Sequence, residues 1–161
     1  MDFTSLFDYS GTARPQRAEE ELVFLPGATP DDWVKLIDHT EARRFAAGEV
    51  VVREGSTAQE LYIVTRGSLE VLVEGDKAGE LRKIAAIEAG WVFGEQSFFD
   101  GKPRSATVRA RTDGEIRRLT LPAFEVLAAK EPALARVVLF DLARILSLRL
   151  RQMMGRVRAL G

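Results

Sequence analysis

The stretch Trp91 to Ala110, WVFGEQSFFDGKPRSATVRA, decides how the rest of the chain is read. It opens with an apolar run ending in Gly94. Glu95 then starts a short segment that carries Phe98 and Phe99. A tight turn follows, Asp100-Gly101-Lys102-Pro103, and Arg104 enters an alternating strand that runs to Ala110. These residue types suit the capture of a phosphate that carries a sugar. Glycine lets backbone approach a ligand closely, and free N–H groups at the start of a short helix attract an anion. Arginine presents a planar fork to phosphate oxygens. An ionised carboxylate only accepts hydrogen bonds, so it suits a sugar hydroxyl and not a phosphate.

In order and spacing, Phe93-Gly94-Glu95 followed by Pro103-Arg104-Ser105-Ala106-Thr107-Val108 resembles the phosphate-binding cassette of cyclic nucleotide-binding domains. These are the sensor modules of the bacterial catabolite activator protein, of cyclic-nucleotide-dependent kinases and of cyclic-nucleotide-gated channels. The resemblance implies that Glu95 holds the ribose 2′-hydroxyl and Arg104 the cyclic phosphate, with backbone near Gly94, Ser105 and Ala106 completing the cradle. Phe93, Gln96, Ser97 and Thr107 join them as candidate ligand-binding residues. Thr107 is expected to point the same way as Ser105 along a strand. The small Ser105 implies cyclic AMP over cyclic GMP. The sequence departs from the family pattern at Gln96-Ser97-Phe98-Phe99, where small or aliphatic residues are usual; both phenylalanines are expected in the core beneath the cassette. The plain structural alternative is an ion pair between Glu95 and Arg104 that closes a turn.

Composition narrows the function classes. The chain has 161 residues, 46% of them hydrophobic, which suits one domain with a real core. The formal net charge of −1 argues against bulk attraction to nucleic acid. With Cys at 0 there is no disulfide, thiolate metal site or cysteine nucleophile, and the single His39 excludes sites that need two histidines. No Gly-x-Ser-x-Gly elbow occurs. No catalytic residue, metal or cofactor is therefore expected, only a cyclic nucleotide ligand. The sequence has no signal peptide and no apolar stretch long enough to span a membrane, so a cytoplasmic protein is expected.

Residues 1–29 read as an N-terminal arm, anchored by Phe3, Leu6, Phe7 and Tyr9 or disordered, and residues 30–161 as the domain. Thr29-Pro30-Asp31-Asp32 is a helix start, with Trp33, Leu36 and Ile37 on one face and His39 near the end as a cap. From Ala42 to Leu121 short alternating runs are separated by glycine turns, which predicts a sandwich or barrel. In Leu69–Glu74, Leu69, Val71 and Val73 share a face. A short helix follows at Leu121–Lys130, then a long one from about 132 to 158. The fold class is α+β, an antiparallel β-roll of jelly-roll type flanked by an N-terminal helix and two C-terminal ones.

The resemblance makes the long helix a lid. Arg149 and Leu150 then fall where the activator protein has base-contacting hydroxyl residues, and Arg149 is expected to stack over a purine. Leu139, Leu142, Leu146, Leu150, Met153 and Val157 form a stripe suited to a homodimer or partner-helix seam. Residues 142–161 carry five arginines and no acid. Sequence-specific DNA binding is not expected, since no helix-turn-helix follows the lid helix. Two readings emerge. One is a stand-alone sensor that passes its signal to an unidentified protein partner; the other is a ligand-free interaction module of the same fold.

Overall fold

The computed structural model describes residues 21–161; the apolar anchor expected at Phe3 to Tyr9 lies outside them. Helix α1 (Pro30–Ile37) begins where the sequence placed it. The Thr29 hydroxyl accepts from Asp32 N at 3.1 Å, and the Asp32 carboxylate accepts from Thr29 N at 2.9 Å. This reciprocal box satisfies two of the backbone donors a helix start leaves open. Trp33 and Leu36 turn inward. His39 lies just past the helix, where its Nδ1 donates to the Lys35 carbonyl at 2.8 Å.

Eight strands follow: β1 (Glu41–Phe45), β2 (Val50–Val52), β3 (Glu60–Arg66), β4 (Leu69–Glu74), β5 (Leu81–Ile87), β6 (Val92–Phe93), β7 (Thr107–Ala110) and β8 (Gly114–Thr120). Between β6 and β7 sits a short helix, α2 (Glu95–Asp100); after β8 come α3 (Leu121–Lys130) and α4 (Pro132–Ala159). The strands form two antiparallel sheets, in the orders β1-β8-β3-β6 and β2-β7-β4-β5. The pairs nest, β1 with β8, β2 with β7, β3 with β6 and β4 with β5, which is the jelly-roll pattern expected. Leu69 is buried and Val71 packs partly against the core, but the period of two expected through Val73 breaks: the register shifts between Val71 and Leu72, and Leu72, not Val73, is buried.

Nesting carries the β6–β7 connection, where the cassette lies, onto the β2–β3 loop. Gly55 N donates to Arg104 O at 2.8 Å, and Arg104 N donates to Ser56 O at 2.8 Å. The backbone of Arg104 is thereby fixed before its side chain is considered.

Residues 21–29, read from sequence as part of a loose arm, are packed into the domain. Leu22, Phe24 and Leu25 belong to the core, and Phe24 meets Trp33 edge-on at 6.1 Å. Leu25 has a φ of 50°, an uncommon backbone for a leucine. Its N–H donates to the buried Asp141 carboxylate at 2.7 Å, and Asp141 also accepts from Arg144 Nε at 2.7 Å. Arg144 in turn holds the Glu21 and Val23 carbonyls. One acid–arginine pair on α4 thus pins the segment, a contact across more than a hundred residues.

Helix α3 starts at the Thr120 cap, whose hydroxyl accepts from Ala123 N at 3.2 Å, and buries Phe124 and Leu127. Glu131 breaks it, and Pro132 opens α4 at a position that needs no N–H. The first half of α4 buries Leu134, Ala135, Val138, Leu142 and Ile145. Its second half buries no apolar side chain fully; Leu148 packs partly against the core, and Leu150, Met153 and Val157 are more than half exposed.

Candidate functional site

Gly94 is the pivot of the cassette. Its φ of 82° is a left-handed conformation that glycine adopts without penalty. A Cβ there would lie 2.8 Å from Arg104 Nη1, 2.9 Å from the Glu60 carbonyl oxygen and 3.1 Å from Tyr62 Cδ2. The close approach of strand, ring and arginine therefore requires a residue with no side chain.

Arg104 occupies the space so created and is 5% exposed. Its Nη1 donates to Gly94 O and its Nη2 to Glu60 O, each at 2.9 Å. Its guanidinium carbon stands 5.6 Å from the centre of the Tyr62 ring. A guanidinium has five N–H donors, and these two bonds leave others for an anion. Behind the ring, Phe93 stacks on Tyr62 at 4.9 Å and 17°, because β3 pairs Tyr62 with Phe93. The Tyr62 hydroxyl donates to Glu60 Oε2 at 2.5 Å; Glu60 Oε1 accepts from Arg118 Nη1 at 2.8 Å, and Arg118 Nη2 reaches Glu41. Burial first, then the hydrogen bond and charge of Glu60, push the Tyr62 phenol up to about 12. It stays neutral at any physiological pH.

Glu95 opens α2 and is buried to the same extent as Arg104, yet the two are not paired. The turn-closing ion pair that sequence allows is absent among the described residues. The partner of Glu95 is Arg149 on α4, whose Nη1 donates to Glu95 Oε1 and whose Nη2 donates to Val92 O at 2.6 Å. The family resemblance implies a place for Arg149 over a purine base; here its guanidinium bonds a carboxylate and a backbone carbonyl of the cassette. A planar fork with five donors can span both acceptors at once. Leu150, expected beside it, is 59% exposed.

The other expected residues divide. Gln96 and Ser105 meet across the cassette, the Ser105 hydroxyl donating to Gln96 Oε1 at 3.0 Å, and both are exposed. Ala106 is half-buried beside them. Thr107 does not share the direction of Ser105. Strand β7 begins only at Thr107, so the alternation does not reach back to Ser105; the Thr107 hydroxyl is buried and accepts from Glu54 N at 3.0 Å. Ser97 and the Phe93 ring are buried, the ring in the Tyr62 stack. Phe98 is core as expected, but Phe99 is 44% exposed and touches Phe98 only edge-on. Consecutive helical residues diverge by about 100°, so a single turn cannot bury both.

Glu60, Tyr62, Arg118 and the Val92 carbonyl were not foreseen as parts of the site. Tyr62 was visible only as an apolar strand residue, and no local motif joins it to a residue forty-two positions away. The pairing of β3 with β6 supplies the missing link. Among the described residues no group of acids and histidines is placed to hold a metal ion, and no helix is long and apolar enough to cross a membrane.

Residues 42–131 match the family profile described as "Cyclic nucleotide-binding domain". The chain is 31% identical over 108 residues to a cAMP-dependent protein kinase regulatory subunit of Emericella nidulans, covering 67% of this chain and 25% of that one. It is 30% identical over 122 residues to the cAMP-activated global transcriptional regulator CRP of Haemophilus influenzae, covering 75% and 53%. Among solved structures, Thermus thermophilus catabolite activator protein superposes with a TM-score of 0.73 at 27% identity, over 84% of this chain and 61% of that one. A cyclic nucleotide-binding domain from Methylobacillus flagellatus gives 0.77 at 23% identity, over 88% and 83%, and supports the fold. The chain spans about a quarter of the length of the kinase regulatory subunits it matches.

Proposed function

This chain belongs to the family of cyclic nucleotide-binding domains, and on that premise we propose that it is a cyclic-nucleotide sensor whose ligand is read out by the long helix. It is a regulatory domain by family, and its relatives are regulatory and not catalytic proteins. Arg104 takes the cyclic phosphate with its remaining donors. Glu95 takes the ribose 2′-hydroxyl with the oxygen that Arg149 leaves open. Gln96 and Ser105 bridge the rim, with Ala106 beside them; backbone at Phe93, Gly94 and Ser97 completes the cradle, and Thr107 fixes the strand behind it. Cyclic AMP is preferred over cyclic GMP: Ser105 is small, and two of the relatives named above are a cAMP-dependent protein kinase regulatory subunit and a cAMP-activated regulator. The protein acts in the cytoplasm and passes its signal to a protein partner.

The observation that carries this reading is the Arg149–Glu95 pair. The residue expected to hold the sugar is bonded to the helix expected to move. A ligand that changes the position or charge environment of Glu95 therefore changes the energy of helix docking, which is what a population shift needs. Titration calorimetry with cyclic AMP and cyclic GMP tests it. Saturable binding is expected, and Arg104→Ala weakens it by roughly 2–5 kcal/mol through loss of a charged hydrogen-bond partner. No saturation by either nucleotide at millimolar concentration overturns the reading.

A second reading has its own support. Arg104 and Glu95 both have protein partners, and the distal half of α4 exposes Leu150, Met153 and Val157 along one face. A module that acts by pairing two copies through this face, with or without nucleotide, accounts for both facts. Light scattering on the full chain and on a chain cut before Leu146 separates the cases: an unchanged monomeric mass in both rules out the seam.

A further inference from the structure

The geometry points to Tyr62 as a positioning residue for the anion site: its ring is the platform that holds the Arg104 guanidinium in place. The inference rests on the reading of Arg104 as the phosphate ligand. Arg104 has no carboxylate partner among the described residues; its protein contacts are two backbone carbonyls and one aromatic ring. Carbonyls fix two corners of the guanidinium and leave its tilt free. A ring beneath the cation restricts the tilt, and attraction between the cation and the ring is strongest where water is excluded. Tyr62 is 4% exposed, so that condition is met.

The ring is itself locked on three sides. Phe93 stacks behind it at 4.9 Å. Its hydroxyl is tied to Glu60, and Glu60 is tied to Arg118. The bare α-carbon of Gly94 closes the remaining side, with room for no Cβ between Tyr62 and Arg104. Glu60 serves twice, holding the phenol with its carboxylate and Arg104 Nη2 with its carbonyl. The outer ends of β3 and β8 thus fix the direction of the donors left to Arg104. A phosphate gains most from donors already oriented for it, since less freedom is lost on binding. By this argument the aromatic ring matters and the hydroxyl is secondary, because Phe93 and the strand pairing hold a phenyl ring in the same place.

Two measurements on the full chain test this. In the nucleotide-free wild-type protein, the Arg104 side-chain protons should resonate upfield of free arginine through the Tyr62 ring current. The shift should persist in Tyr62→Phe and vanish in Tyr62→Leu. Calorimetry with cyclic AMP should place Tyr62→Phe within about twofold of wild type and Tyr62→Leu roughly tenfold weaker, the size expected of a desolvated cation–ring contact. Arg104 protons at free-arginine positions in wild type and Tyr62→Phe overturn the inference even if Tyr62→Leu does not fold. Equal losses in the two variants overturn it too, by assigning the effect to the hydroxyl. If wild type binds neither cyclic nucleotide, the function proposed above fails, while the proton shifts still decide whether the ring holds the arginine.

Discussion

Replacing Arg149 by alanine tests how the long helix is fastened to the cassette. Arg149 gives one charged bond to Glu95 and one bond of 2.6 Å to the Val92 carbonyl. Truncation leaves the Glu95 side chain, 7% exposed, without its cation. Breaking a fully buried pair in this way costs about 3–5 kcal/mol. The Arg149 side chain is itself 26% exposed, so water reaches the vacated space; the expected loss falls to about 1–3 kcal/mol. The loss should also be local. Beyond Ile145 no apolar side chain of α4 is fully buried, only Leu148 packing partly against the core, and among the described residues the other side-chain hydrogen bond from that half runs from Arg156 to the Ile84 carbonyl at 2.9 Å. Hydrogen exchange in residues 146–159 should therefore accelerate well before the roll opens. Urea unfolding of Arg149→Ala, Glu95→Gln and the double variant completes the test, with an interaction energy of about 1–2 kcal/mol expected between the sites. Unchanged protection of the distal helix, together with single effects that add within about 0.3 kcal/mol, would refute the reasoning.

Gly94→Ala combines a left-handed φ, costing about 1–2 kcal/mol, with a Cβ too close to the Glu60 carbonyl; urea unfolding should show a loss of at least that size, and cyclic AMP binding should fall with it. Asp141→Ala leaves Leu25 N and Arg144 Nε without their acceptor; thermal unfolding should report a loss of about 2–4 kcal/mol, with residues 21–25 the first to exchange. The Tyr62 phenol binds its proton more tightly in the folded protein, up to about 12, than in the unfolded chain, near 10. Its contribution to stability is therefore complete below pH 10 and is lost as pH rises through about 12. Unfolding experiments across that window should show a steeper decline for wild type than for Tyr62→Phe, and phenolate absorbance should assign the difference.

What was legible in the sequence follows from short-range rules. Thr29, Pro30 and Asp32 announce a helix because a cap and its partner lie three residues apart. Alternation over four to seven residues announces strands, and Glu131-Pro132 marks the break between the last two helices. The cassette was readable for the same reason, since Gly94, Glu95 and Arg104 lie within eleven residues of one another. Tertiary structure alone decided which groups these residues face. Arg149 meets Glu95 across fifty-four positions, Tyr62 meets Arg104 across forty-two, and Asp141 meets Leu25 across 116. Helical periodicity names a stripe on α4 but not the length of roll beneath it, so it could not separate buried Leu142 from exposed Leu150. The physical reason is that periodicity fixes the direction of a side chain relative to its own element, whereas burial and charge pairing depend on the neighbour that nested strand pairing brings alongside.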